Sequence, residues 1–312
     1  MEFFRKKFVG AALYALLLMS FTLYVALDTF VITREYTVVP SGDDGSGKSA
    51  SNTDDGNADG SMQPSADSAA ITADSYSDEN ISIKIKEYRE YDTAIYVADV
   101  TLASAEYLQT AFAQSTYGRN ITAKTSQIAA DNHAILAING DYYGAQTKGY
   151  VLKNGVLYRE DASAAKEDLV IRQDGSFEII TEGDYSAAEL LEDGAVQLLS
   201  FGPALVEGGT VSVSENEEVG KAKASNPRTA IGIVDDLHYL FVVSDGRTNE
   251  SEGLSLHQLA EFMEGLGADT AYNLDGGGSS TMYFNGEVIN NPTTNGKKIE
   301  ERSVSDIVYI GY

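Results

Sequence analysis

The run Asn226-Pro227-Arg228-Thr229-Ala230-Ile231-Gly232-Ile233-Val234-Asp235-Asp236-Leu237-His238-Tyr239-Leu240-Phe241-Val242-Val243-Ser244-Asp245 decides how this chain is built. Two stretches rich in β-branched and aromatic residues flank an Asp-Asp turn, which predicts two strands joined end to end. Pro227 holds Asn226 extended, so Arg228 enters the first strand at a defined place. Its guanidinium is the fork that matches a phosphate or carboxylate bidentately, and an ion pair with one of the chain's many acids is the competing reading. The second strand ends in Ser244-Asp245-Gly246-Arg247, which puts a carboxylate at a strand exit.

Downstream, Ser255 opens a helix as a capping box with Gln258, and Leu256, Leu259, Ala260, Phe262 and Met263 recur at helical spacing up to a glycine stop at Gly265-Leu266-Gly267. The helix leads into Asn273-Leu274-Asp275-Gly276-Gly277-Gly278-Ser279-Ser280-Thr281-Met282-Tyr283. Three consecutive glycines suit a backbone at positive φ whose amides attract an anion, with a tight turn around Asp275 as the alternative. The order strand, helix, strand fits a right-handed crossover between parallel strands, which would set Asp245 and Asp275 at one sheet edge. Two carboxylates at one edge can share acid and base work.

Upstream, residues 81–85 alternate apolar and polar, 91–102 are β-rich, and 126–132 form a short helix candidate. Residues 134–138 run apolar without alternation, as a strand buried on both faces would. They end in Asn139-Gly140-Asp141-Tyr142-Tyr143-Gly144, polar and aromatic groups at the end of a buried strand, a common way to build a site. Lys153-Asn154-Gly155-Val156, Gln173-Asp174-Gly175-Ser176 and Asn285-Gly286 are hairpin turns, and Gly208-Gly209 is a further turn. Residues 81–312 therefore read as one α+β unit, a mixed, hairpin-rich β-sheet core with a few helices.

The N-terminus is of another kind. Arg5-Lys6-Lys7 precedes an uncharged run over 8–27, twenty residues that at about 1.5 Å each span roughly the 30 Å of a bilayer core. This predicts a single transmembrane helix, retained as a signal anchor because no small-x-small cleavage site comes after it. The basic flank places residues 1–7 in the cytoplasm and the C-terminal domain outside. Residues 28–80, rich in Ser, Gly and Asp, are expected to be a disordered tether that keeps the domain off the membrane. Inside it, residues 42–49 match a phosphate-binding loop formally, but residues 50–56 cannot form the helix that must hold the phosphate, so no nucleotide is expected. Residues 55–60 resemble half a calcium loop whose bidentate Glu position falls on Ala66.

Net charge is −25, from 22 Lys and Arg against 47 Asp and Glu, which disfavours nucleic acid as a partner. No cysteine is present, which removes disulfides and thiolate metal sites and points to a bacterial envelope protein. His133, His238 and His257 do not cluster in sequence and are read as structural. A Ser-His-Asp hydrolase through Ser279 or Ser280 lacks the Gly-x-Ser-x-Gly elbow. No cofactor is required; the acid-rich loops leave a divalent cation such as calcium possible.

Five blocks together, around Asn139, Arg228, Asp245, Asp275 and Arg302-Ser303-Val304-Ser305-Asp306, resemble the phosphodiester glycosidase family. The resemblance covers residue 91 to the C-terminus. It implies hydrolysis of a sugar-1-phosphodiester to free sugar and phosphomonoester, in bacteria often in exopolysaccharide or wall-polymer metabolism. A glycosyl phosphate carries a good leaving group, so such an enzyme needs cations and amides on the phosphate and a carboxylate at the anomeric side. On that reading Arg228, Arg302 and the amides of Gly276, Gly277 and Gly278 hold phosphate, and Asp275 and Asp245 are the candidate base, nucleophile or water-positioning groups. Asn139, Asp141 and Tyr142 would hold the sugar, with Ser279 and Ser280 completing the substrate pocket. The partner is then a phosphorylated glycan or glycosyl phosphodiester. A cell-surface glycan-binding module without turnover and a metal-dependent phosphodiesterase are the competing functions.

Overall fold

Along Ala230–Val243 both faces of the strands are apolar, and the folded chain covers both. In the computed structural model, which describes residues 2–36, 69–216 and 225–312, Arg228–Asp235 and His238–Ser244 lie at the centre of a nine-stranded sheet. Ile231, Phe241 and Val243 point into a core shared with Leu136, Ile138, Met282, Phe284, Val308 and Ile310 of a second, five-stranded sheet. Ala230, Leu240 and Val242 face the other way, onto Leu256, Leu259, Ala260, Phe262 and Met263 of the helix Leu256–Gly265. That helix starts on the expected Ser255–Gln258 capping box.

The five-stranded sheet runs in the order Glu287–Val288, Met282–Phe284, Leu136–Asn139, Asp306–Ile310, Leu108–Phe112. Leu136–Asn139 is buried along its whole length: Leu136 and Ile138 enter the shared core, and Ala137 packs on Ile128 and Ala129 of the helix Thr125–Asp131. The unbroken apolar run thus arises in an antiparallel sheet, because a helix covers its outer face. Two face-to-face sheets with helices on their outer faces give the α+β, hairpin-rich architecture the sequence implied. Each large apolar side chain buried this way contributes about 1.5–3 kcal/mol.

The crossover is present with one strand between its ends. Arg228–Asp235 pairs antiparallel with His238–Ser244 on one side and with Thr270–Asn273 on the other. The outer two therefore run parallel, and Asp245 and Asp275 lie just past their ends at the same sheet edge. The hairpins at Asn154-Gly155, Asp174-Gly175 and Asn285-Gly286 join paired strands as read. The helix Ala187–Glu192 was not anticipated, although Ser186 and Glu189 form a capping box at its start.

The N-terminal helix spans Glu2–Phe30, and its stretch Val9–Thr29 is long and apolar enough to cross a membrane, with mean hydropathy 1.9 and no residue of its apolar window buried. Residues 28–36 and 69–80 do not behave as the expected tether. The helix continues to Phe30, Arg34–Glu35 is a strand, and Ala70–Ile71 and Ser75–Ser77 extend the large sheet. The remainder of the tether, with the stretches 42–49 and 55–60, lies outside the described residues.

Candidate active site

Asp275 lies two residues past the strand Thr270–Asn273, and its loop is pinned from three sides. Its amide donates to the carbonyl of Gly140 at 3.3 Å, its carbonyl accepts from the Asn139 amide at 2.6 Å, and the Gly277 amide donates to Pro227 at 2.8 Å. These bonds join the ends of both sheets. The carboxylate so placed meets Arg302, whose guanidinium lies 3.1 Å away, and accepts a 2.6 Å bond from the Ser279 hydroxyl. Arg302 also donates to Ser279 and to the carbonyl of Gly276. Asp275 keeps 17 % of its side chain exposed. Burial pushes its carboxyl above the ordinary value, against the charge of Arg302 and the Ser279 hydroxyl, which hold it down.

The exposed face of this group opens into a cavity of about 440 Å³ lined by Arg228, Arg247, Arg302, Asp275, Asn226, Tyr142 and Phe201, among others. A volume of this order holds a small ligand. Arg228 is buried, its Nε donating to the carbonyl of Leu254 at 3.0 Å and its backbone amide to Ser244 Oγ at 2.9 Å. Arg247 is held by Asn226 Oδ1, 2.9 Å from Nη2, and by the carbonyl of Thr294, 2.5 Å from Nη1. Desolvation and then the nearby positive charge of Arg302 lower the Arg247 guanidinium below its ordinary value. Two cations close enough to repel each other at a cavity wall favour an anionic occupant. Asp275 is the one acidic residue among the lining residues.

Arg228, Arg302, Asp275, Tyr142, Gly276 and Gly277 thus share one hollow, and Ser279 stands directly behind it. Asn139 does not line it: the side chain is sealed, its amide bonding Asp275 and its oxygen accepting from Thr229 and the amide of Thr281. Asp141 is likewise buried, accepting from the amides of Tyr143 and Ser200 and facing Lys153 at 3.3 Å. Asp245 turns into the neighbouring loop, where it accepts from the Asn291 amide at 2.8 Å and from the side chains of Asn290 and Asn291. Gly278 and Ser280 are buried outside the lining.

The glycines serve close approach: a Cβ on Gly276 would lie 2.9 Å from the carbonyl oxygen of Pro227, and one on Gly278 would lie 2.4 Å from Thr294 Oγ1. The Gly277 amide is spent on Pro227, and the amides of Ser279 and Ser280 close the turn onto Gly276 and Gly277. Gly277 has φ +65°, and a Cβ there would lie 2.8 Å from Arg247 Nη2. Arg247 is a cavity residue that stood in the Ser244-Asp245-Gly246-Arg247 motif without an assigned role, and its signal was an arginine two residues beyond a strand-exit Asp, after a glycine. It too sits at positive φ, +63°. Among the described residues no three His, Asp or Glu side chains group to hold a metal ion, and no histidine lines the cavity.

The sequence profile of the phosphodiester glycosidase family matches residues 132–311, more than half of the chain, and takes in each of these lining positions beyond Thr122. The chain belongs to the phosphodiester glycosidase family. Curated relatives of this chain include the mouse N-acetylglucosamine-1-phosphodiester alpha-N-acetylglucosaminidase, 30% identical over 175 residues, covering 51% of this chain and 33% of the mouse protein. The SPbeta prophage-derived uncharacterized protein YomE of Bacillus subtilis is 28% identical over 190 residues, 59% of this chain and 29% of that protein. The chain thus spans about a third of the length of the curated relatives it matches. The phosphodiester glycosidase fold is shared with the catalytic domain of the zebrafish N-acetylglucosamine-1-phosphodiester alpha-N-acetylglucosaminidase, with a TM-score of 0.59 at 22% identity over 74% of this chain and 83% of that one. A hypothetical protein from Synechocystis shares it at a TM-score of 0.51 and 16% identity, over 75% of this chain and 62% of that one.

Proposed function

We propose that this chain is a membrane-anchored hydrolase that cleaves the bond between a sugar anomeric carbon and a phosphodiester of an envelope glycan, with the helix Glu2–Phe30 as single-pass anchor and its basic N-terminal end in the cytoplasm. The observation that carries this reading is the meeting of Arg228, Arg247 and Arg302 with a single carboxylate, Asp275, around one cavity. The arginines neutralise the phosphate, which leaves as a phosphomonoester and needs no proton from the protein. Asp275 faces the anomeric side: a water oxygen bonds to the anomeric carbon, its proton passes to Asp275, and the carbon–oxygen bond to phosphate breaks. Tyr142, set edge-on to Phe201 with ring centres 5.4 Å apart, offers an aromatic wall for the sugar. Asn139, Asp141 and Asp245 hold the loops that carry these groups.

The mouse, bovine and human relatives are named for an N-acetylglucosamine-1-phosphodiester, which makes that the probe of choice. The detergent-solubilised chain should convert it to free sugar and phosphomonoester, with no loss on addition of chelator. Asp275→Asn should lower the rate about 10²–10⁴-fold, the range of a positioned general base. Sugar phosphate as product would move cleavage to the other phosphorus–oxygen bond, and binding without turnover would leave a recognition module.

A further inference from the structure

The apolar helix does not end in open chain. Four residues past Phe30, the strand Arg34–Glu35 pairs antiparallel with Gly118–Arg119 of the domain, and the Tyr36 amide donates to the carbonyl of Tyr117 at 3.1 Å. The Asn120 side-chain amide reaches the helix end itself, donating to the carbonyls of Asp28 at 3.4 Å and Ile32 at 2.9 Å. The Asp28 carboxylate pairs with Arg34 and lies 3.8 Å from Arg119. The seat is shaped for this contact, since a Cβ on Gly118 would lie 2.1 Å from the carbonyl oxygen of Arg34.

Asn120 stands two residues before the cavity wall and outside its lining. Its backbone amide donates to Gly144 at 3.1 Å, beside the lining residue Ala145. Thr122, two residues on, lines the cavity, and Ala123 bridges to Val304 of the segment that carries Arg302. Two extended residues span at most about 7 Å, so the wall begins roughly 10 Å from the Ile32 carbonyl. The headgroup layer of one leaflet is about 5–8 Å thick, half the difference between about 40–45 Å for the whole bilayer and about 30 Å for its core. With a net charge of −25 the chain gains nothing from general adsorption to an anionic membrane, so the docked strand is what sets its height.

We propose that the docked strand holds the cavity at the membrane surface and that its substrate is a lipid-borne glycosyl phosphodiester, whose phosphate lies in the headgroup layer. This rests on the hydrolase and anchor readings above. A glycosyl phosphodiester in solution or on a polymer has no such height, and a domain on a long flexible leash would show a smaller preference for the lipid form. The docking exchanges search through the bulk for a high local concentration in two dimensions.

The test uses the full chain reconstituted in phosphatidylcholine vesicles, with an N-acetylglucosamine-1-phosphoryl ester of a long-chain alcohol in the same vesicles and the methyl ester in solution. Wild type should cleave the vesicle-borne ester at least about tenfold faster, at matched bulk concentration, than the soluble one. Two variants leave the cavity intact. Asn120→Gly keeps a residue that tolerates φ +58° and removes both bonds to the helix end. A ten-residue Gly-Ser insert between Thr33 and Arg34 adds roughly 16–19 Å of flexible reach. Both should show a smaller preference than wild type while cleaving the soluble ester within about twofold of wild type. Equal rates on the two esters in wild type, or an unchanged ratio in both variants, overturns the proposal. A wild type that cleaves neither ester overturns the hydrolase reading and this proposal with it.

Discussion

The ammonium of Lys153 lies 2.8 Å from the carboxylate of Asp306, with both side chains sealed from solvent directly beneath the cavity wall that Ser305 forms. Asp141 joins them at 3.3 Å, so one buried cation faces two buried acids. Burial, and next the negative charge of Asp141, push the Asp306 carboxyl up to about 7, while Lys153 pulls it back. One Asp306 oxygen accepts no hydrogen bond, and the carboxylate fills the space a Cβ on Gly140 would need, 2.6 Å away. The glycine of the Asn139-Gly140-Asp141 block is there to make room for this acid.

Stability should therefore fall as pH rises between about 4 and 7 through this one group. In that window the folded state keeps the Asp306 proton and the unfolded state has released it, so unfolding gives up a proton and is favoured by higher pH; above about 7 the contribution is flat. The size is on the order of 4 kcal/mol for about three pH units of displacement. Denaturant unfolding of the solubilised chain at a series of pH values should show Asp306→Asn gaining on wild type across this window. A constant difference would mean that Asp306 is ionised throughout.

Asp245 and Asp275 leave parallel strands at one sheet edge, yet they should separate by function. Asp245 spends its oxygens on Asn290 and Asn291, so Asp245→Asn should cost about 1–3 kcal/mol of stability and lower kcat less than tenfold. Asp275→Asn should do the reverse, leaving stability near wild type and removing turnover. Thermal unfolding and steady-state rates on the same preparations check both halves. Loss of turnover in Asp245→Asn at full stability would bring that carboxylate back into the chemistry.

How much of the fold and the cavity was legible depends on how local the signal is. Asn154-Gly155, Asn285-Gly286 and the Ser255–Gln258 box announce hairpins and a helix start by themselves, because each satisfies backbone geometry within four residues. The sheet edge shared by Asp245 and Asp275 was readable from strand order. The direction in which a side chain turns once there was not. Asn139 and Asp141 carry the same polar signature as cavity residues, and only the approach of Thr229, Thr281, Lys153 and Ser200 from distant segments draws them inward. Arg247 was hidden for the converse reason: its place depends on Asn226 and Thr294, on two other loops.

Gly277→Ala should act on binding more than on chemistry. The backbone is at φ +65°, where a Cβ costs about 1–2 kcal/mol, and that Cβ would press on Arg247 Nη2 from 2.8 Å. The guanidinium is anchored at Asn226 and Thr294 and cannot yield without losing one of them. The expected outcome is a KM raised about tenfold or more with kcat changed less, as for loss of a charge-assisted phosphate contact of about 1.5–3 kcal/mol. Arg247→Ala should give the same split without the loss of stability. A Gly277→Ala enzyme with unchanged KM would remove Arg247 from the phosphate site.

Arg302 should set the acidic limb of the pH–rate profile. Asp275 acts as a base only when ionised, and burial raises its carboxyl above the ordinary range, so kcat/KM should climb with pH through a limb displaced upward from that of a solvated carboxylate. The charge of Arg302, 3.1 Å away, and the Ser279 hydroxyl it orients oppose that displacement. Arg302→Gln removes the charge, leaves burial unopposed by it and moves the limb to still higher pH, while a Ser279→Ala enzyme moves it in the same direction by less. Rates on a soluble glycosyl phosphodiester from pH 4 to 9 read the limb directly. A limb that stays put in Arg302→Gln would show that the proton titrated there does not belong to Asp275.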